Sequence, residues 1–361
     1  MLGSQPNRRV ARFLSRLFGR GDAKVSPRTR GQTTHVIILD GTMSSLRRGC
    51  ETNAGLTYKL LRGVPGVSVY YAPGIQWAQW KQLGDVIAGR GINRQIRRAY
   101  GYLASRYRPG DRIYLFGYSR GAYAVRSLAG IIDQVGLLRA DAATERNVRD
   151  AYRHYEARQL SEAARAFRAS QCHPQVSIEM IGAWDTVKSL GLNMPVLWRL
   201  SAPKHAFHNH HLGPSVRRGY HALARHETRV AYKPIMWESD PDWPGEELVQ
   251  MWFRGTHGDV GGQLGGFEPA RPLANIPLVW MLEQAESAGL ALPEAWRDRF
   301  PQDAGAPSMG TFRGMGRLLV TRRPRRVGLD PSERVHPSLR EAPPGPVWRL
   351  PRPSFLRASG S

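Results

Sequence analysis

The chain has 361 residues, 41% hydrophobic and 22% charged, with a formal net charge of +23. That hydrophobic share supports a large core and excludes a disordered chain, and no apolar run approaches the ~18 residues of a membrane-spanning helix. Two cysteines, Cys50 and Cys172, cannot build a disulfide framework and fit a reducing compartment.

The charge is unevenly placed. Residues 1–30 hold eight Lys or Arg and one acid, and residues 313–361 hold eleven and three. The stretch between them carries only +8. A polyanionic partner would meet the tails, and an anionic membrane surface suits them better than nucleic acid. Val10, Phe13, Leu14, Leu17 and Phe18 form one helical stripe, with Arg8, Arg9, Arg12, Arg16 and Arg20 mostly off it. The segment is too short and too interrupted by Arg for a secretory signal. It reads as a helix lying on a membrane surface. The alternatives are a frayed basic extension or a helix docked on its own domain.

Residues 31–340 read as one continuous domain between a basic amphipathic tail (1–30) and a Pro/Arg-rich tail (341–361). THVIILD (34–40) is a continuous apolar run, the pattern of a strand covered on both faces. GVSVYYAPG (66–74) is a second strand, and 91–106 is a helix with Ile92, Ile96, Tyr100 and Leu103 on one face. DRIYLFG (111–117) is a strand and 120–134 a helix. VSIEMIGAWD (176–185) and ELVQMWFRG (247–255) are strands, and 276–289 is a helix stopped by Gly289. Residues 192–220, rich in His, Pro and Arg, show no period and read as a lid or cap. Strands alternating with helices predict an α/β fold: a doubly wound, mostly parallel sheet with helices on both faces.

The sharpest motif is FGYSRGA (116–122), which holds G-x-S-x-G as Gly117, Ser119 and Gly121. A strand enters it and a helix leaves it, the setting of a nucleophile elbow that exposes the Ser119 hydroxyl. A serine that only caps the helix is the bland alternative. A serine nucleophile needs a base, and the base needs an acid to hold it. Asp185 and His257 follow strands in the order Ser, Asp, His. In an open parallel sheet these carboxyl ends share one edge. Ser119, Asp185 and His257 are therefore the expected catalytic residues. The oxyanion donors are expected at the N–H of Arg120 and of Gly41 or Thr42, with Asp40 pinning that loop.

Other candidates are weaker. His205, His208, His210 and His211 cluster, but match no standard zinc spacing. Asp259 competes with Asp185 as the acid, although Gly261 and Gly262 beside it suggest a turn. His221 and His226 are alternative bases. LDGT matches the end of the D-x-D-G-T of Asp-nucleophile phosphatases, but Ile38 stands where that nucleophile belongs. No P-loop or dinucleotide fingerprint appears, and no cofactor is expected.

ILDGT, Thr52-Asn53, YYAPGI, YRPGDRIYLFGYSRGAYAVRSLAGII, GAWDTV, YHALARHETR, YKPIMW, WFRGTHGDVGG and RVHPSL occur in that order across residues 33–340. As an ordered set they resemble an α/β-hydrolase family that includes the catalytic domain of type VI secretion phospholipase effectors (Tle-type). The resemblance implies that Ser119, Asp185 and His257 are the catalytic set, with lipid or phospholipid acyl esters as substrate. It also brings in export by a type VI secretion system beside a cytoplasmic, peripheral-membrane location. Met43 stands where that family usually has Trp, and His226 where an acid precedes Glu227. Two rival readings remain at this level. One is a metal-dependent hydrolase gathering Asp40, Asp185, His257 and Asp259. The other is a non-catalytic module whose Arg-rich tails bind membrane or nucleic acid.

Overall fold

β1 (Thr34–Leu39) is a run of aliphatic residues with almost every side chain buried. In the structure, a computed structural model that describes residues 31–74, 90–157, 161–187, 210–312 and 321–341, it lies inside a parallel sheet. α1 (Asn53–Leu61) follows, its first turn capped by Thr52, whose side chain accepts from the Gly55 N–H. Then come β2 (Val67–Ala72), α2 (Arg90–Ala104), β3 (Arg112–Tyr118) and α3 (Arg120–Gln134). α4 (Glu145–Glu156) and α5 (Glu162–Gln171) start at caps from Thr144 and Ser161. β4 (Met180–Trp184), β5 (Arg218–Ala224) and β6 (Glu247–Phe253) complete the centre. A short α6 (His257–Gly261), then α7 (Arg271–Ser287), β7 (Glu333–Val335) and α8 (Ser338–Glu341), close the described chain.

The sheet order is β2-β1-β3-β4-β5-β6-β7, and every pairing is parallel. The chain reverses its winding between β1 and β3, the kind of switch point at whose carboxyl edge open parallel sheets bind ligands. Side-chain alternation along the strands divides the core into two layers. Ile37, Leu39, Ile113 and Leu115 pack under α2, α3 and α4. Val36, Ile38, Tyr114 and Phe116 pack against α1 and α7 on the other face. Helices thus cover both faces, as the alternating pattern predicts.

Two elements, β5 and α7, fall differently from the sequence reading. β5 is a central strand, and its first residues fall inside the stretch read as a lid; the earlier part of that stretch, through residue 209, lies outside the described residues. GYHAL hides as a strand because Gly219 and His221 interrupt its apolar character. They are tolerated because Gly219 makes room for Leu212 and His221 finds polar partners inside the sheet. α7 begins at Arg271 rather than 276, with Pro272 in its first turn, where a missing N–H costs nothing. It ends as expected: Gly289 (φ 85°) takes the left-handed position, and Leu290 N–H donates back to Ala285 C=O.

Candidate active site

The elbow is set by close packing of strand, turn and helix. Ser119 has φ 56° and ψ −119°, a conformation that costs an L-residue about 1–3 kcal/mol. It is held by its N–H donating to Trp184 C=O at 2.9 Å on the neighbouring strand. Gly121 is required by contact: a Cβ there would stand 2.0 Å from Leu39 C=O on β1. At Gly117 it would meet Gly121 C=O at 2.5 Å. Helix α3 can therefore press its first turn directly onto the sheet, with Ser119 raised at its amino end.

Ser119, His257 and Asp185 meet at this edge. Ser119 Oγ is 3.0 Å from His257 Nε2, and His257 Nδ1 is 2.6 Å from Asp185 Oδ2. All three residues are buried. β3 ends at Tyr118 and β4 at Trp184, paired with each other, so Ser119 and Asp185 emerge side by side. His257 is the first residue of α6, just past β6. Asp259 is not the partner of His257. Its carboxylate closes a capping box on Thr256 and accepts from Ser308 and from Met309 N–H. That fixes the turn that presents His257.

Asp185 is fully buried, which pushes its carboxyl upward. Arg325 overrides this with Nη1 at 2.5 Å from Oδ1 and Nη2 at 2.9 Å from Oδ2, helped by the His257 hydrogen bond. The group is held well below the usual carboxylate range. Ala224 N–H also donates to Oδ1. An ionised carboxylate only accepts, so His257 Nδ1 carries a proton and Nε2 of the neutral ring is left to accept from Ser119.

The imidazole is boxed by aromatic rings. Tyr232 lies 4.6 Å from it and Tyr118 4.9 Å, centroid to centroid. Arg229 covers Tyr232 and pairs with buried Glu227, whose Oε2 accepts the His257 N–H at 3.1 Å. Glu227 and Tyr232 belong to YHALARHETR and YKPIMW, motifs visible in the sequence without a role. Arg325 gave no such signal. It sits in TRRPRR, counted above with the carboxyl-terminal basic charge, yet it is buried and neutralised inside the site.

The loop after β1 forms the opposite wall. A Cβ on Gly41 would lie 3.2 Å from Ser119 Cβ, so this loop touches the elbow. Asp40 accepts from Thr52 (2.6 Å), Tyr71 (2.7 Å) and the Gly41 N–H (2.6 Å), and burial raises its pKa to about 6. The Gly41 N–H is therefore in use, whereas among the described residues Thr42 is held through its C=O, which accepts from Gln263 Nε2 at 2.7 Å. Ser44 N–H closes the turn on Gly41 C=O, with Met43 at φ 63°.

The remaining candidates fall elsewhere. His221 is buried in β5, taking the Thr186 N–H on Nε2 and facing Gln250 through Nδ1. His226 accepts the Gly255 N–H at 3.3 Å. His210, half-buried, and His211, exposed, stand beside Glu238, while His205 and His208 lie outside the described residues. Asp40 and Asp259 spend their oxygens on separate hydrogen-bond sets. Among the described residues no three acids, imidazoles or thiols converge as a metal-ligand group.

A family model for the catalytic domain of Tle1-like phospholipase effectors of type VI secretion matches residues 33–284. The chain belongs to this family. An uncharacterized protein of Saccharomyces cerevisiae is 30% identical over 202 residues, covering 48% of this chain and 29% of its own length. A crystal structure of an uncharacterized Pseudomonas aeruginosa protein aligns with TM-score 0.43 and 16% identity, over 83% of this chain and 53% of the other. The structure of the Tle1 effector bound to the VgrG spike aligns with TM-score 0.33 and 18% identity, over 64% and 51%. This Tle1-like chain thus spans about half or less of each of these relatives' length. Arg325 and β7 lie beyond the matched segment.

Proposed function

We propose that the protein is a serine hydrolase of lipid acyl esters, acting through an acyl-enzyme. The observation that carries this is the unbroken chain Ser119 Oγ–His257–Asp185 at 3.0 and 2.6 Å, with the serine on a strained elbow at a helix amino end. Family membership supports the lipid class.

Ser119 Oγ attacks the ester carbonyl carbon and its proton passes to His257 Nε2. The carbonyl oxygen becomes anionic, facing the N–H groups of Arg120 and Thr42 and the amino end of α3. Collapse breaks the bond to the alcohol oxygen, which takes the proton from Nε2. Water, deprotonated by the same nitrogen, then cleaves the acyl-serine and returns the hydroxyl. Asp185, kept ionised by Arg325, fixes the ring's tautomer throughout. The same reading extends to delivery by a type VI secretion system and to basic terminal segments resting on anionic membrane.

Ser119→Ala should abolish ester turnover and labelling by a fluorophosphonate probe. Wild-type labelling that survives the substitution would remove the proposed nucleophile.

A further inference from the structure

Three arginines stand around the proposed reaction centre, and two have carboxylates. Arg325 holds Asp185, and Arg229 grips Glu227 with Nε and Nη2 at 2.8 and 2.6 Å. The third, Arg120, has none. It is 6% exposed, and its Nη2 is sealed from solvent with no hydrogen-bond partner. Among the described residues no carboxylate pairs with it. Its guanidinium is close enough to the Tyr232 phenol for each to bias the other's ionisation, and Tyr232 lies against His257. The side chain thus starts one residue from the nucleophile and lies within electrostatic reach of the ring that packs on the imidazole. Burial pulls it down to about 10, so it stays charged at neutral pH.

Packing alone does not explain an unmatched charge here. Arg126, one helical turn and a half further along α3, is also buried, but it donates to Ile235 and Met236 C=O and covers Trp237. A second buried polar atom without a partner, Thr42 Oγ1, sits on the loop that touches the elbow. A buried cation without a counter-ion is costly to keep, unless the counter-ion arrives with a ligand.

We propose that the Arg120 side chain is the anion-recognising group of this site, and that it pairs with the phosphodiester of a glycerophospholipid whose acyl ester lies at Ser119. In such a lipid only glycerol carbons separate ester from phosphate, a span the residue beside the nucleophile can bridge. Guanidinium suits phosphate oxygens in paired hydrogen bonds. A neutral diacylglycerol would leave the charge unmatched, so the site discriminates against it. This rests on the serine-hydrolase reading for the ester's position.

Binding is measured in the Ser119→Ala protein by calorimetric titration with soluble dihexanoylphosphatidylglycerol, dihexanoylglycerol and inorganic phosphate. The phospholipid should bind more tightly than the neutral diester. Adding Arg120→Met should weaken it about tenfold or more, with Arg120→Lys in between. Equal affinity for the two lipids in the Ser119→Ala protein overturns the proposal without any Arg120 variant having to fold. So does Arg120-dependent binding of inorganic phosphate with none of the phospholipid, which would mark a free-anion site. For turnover, the readout is the phospholipid-to-diacylglycerol ratio of kcat/KM, in which damage common to both substrates cancels. It should fall about tenfold in Arg120→Met. Cleavage of both esters at a ratio independent of Arg120 sinks this proposal and keeps the hydrolase. Arg120-dependent phospholipid binding with no turnover of either ester by wild type does the reverse.

Discussion

At the scale of single residues, Arg325 governs how Asp185 can act. A bidentate guanidinium takes up both carboxylate oxygens, so in the proposed mechanism the field that Asp185 offers an imidazolium is partly cancelled from the start. Its remaining contribution is orientation and tautomer choice. Arg325→Met would leave a buried carboxylate with the ring and the Ala224 N–H but no counter-ion, at a stability cost of about 3–5 kcal/mol. The carboxylate would no longer be pinned where it orients the ring, so under the proposed mechanism kcat should fall while KM changes little. Steady-state kinetics on folded Arg325→Met read this; an unchanged kcat would leave Arg325 a purely structural ion pair. No local pattern in the sequence marks this residue, because a lone Arg in TRRPRR is distinguished only by what it folds against.

At the scale of elements, β5 carries a cost that shows in acid. His221 lies fully buried in this central strand, and burial, with Arg126 nearby, depresses its pKa from 6.5 to about 3. Asp185 and the Gln250 hydrogen bond pull the other way, and Arg325 adds to the depression. The unfolded chain binds a proton at His221 below about pH 6.5 that the folded chain refuses until about pH 3. Stability from this group is complete above pH 6.5 and drains as pH falls, by at most on the order of 5 kcal/mol. Asp40 acts with opposite sign: its pKa is raised to about 6, so its contribution declines as pH rises from 3.8 toward 6. His221→Gln should lower stability at pH 7.5 by about 1–3 kcal/mol through the altered buried hydrogen bonds. It should also flatten the loss between pH 6.5 and 4, measured by urea denaturation at several pH values. An equally steep loss in the variant would show that the acid sensitivity lies elsewhere. The strand itself was illegible for the same reason: His and Gly inside it erase the apolar run that revealed β1, β3 and β4.

At the scale of the whole molecule, charge and chemistry are separated along the chain. The proposed reaction centre is assembled by the sheet, while residues 1–30 concentrate basic charge and an apolar stripe outside the described residues. No helix among the described residues is long and apolar enough to cross a membrane. A surface-bound role for that segment predicts that the full chain floats with phosphatidylglycerol vesicles at low salt. Removing residues 1–30 should reduce the bound fraction, by about 1 kcal/mol of binding for each basic residue that reaches the surface. Rising salt should erase the difference. Equal flotation with and without the segment would end the membrane reading of it.

Much of the candidate site's edge was legible without coordinates. Strand-terminal positions of Ser119, Asp185 and His257 can be read locally, because apolar runs mark parallel strands and parallel strands end on one side. Asp40 as a pin could be read from its place at the end of such a run. By itself, the sequence determined the α/β class, the elbow and the order of its candidate partners, all consequences of short-range periodicity and turn chemistry. Only the tertiary structure decided that Arg325 grips Asp185, that Glu227 and Tyr232 frame His257, and that Arg120 is left without a counter-ion. Those facts depend on which distant side chains share a low-dielectric space, and a buried charge acquires or lacks a partner only once the chain has closed around it.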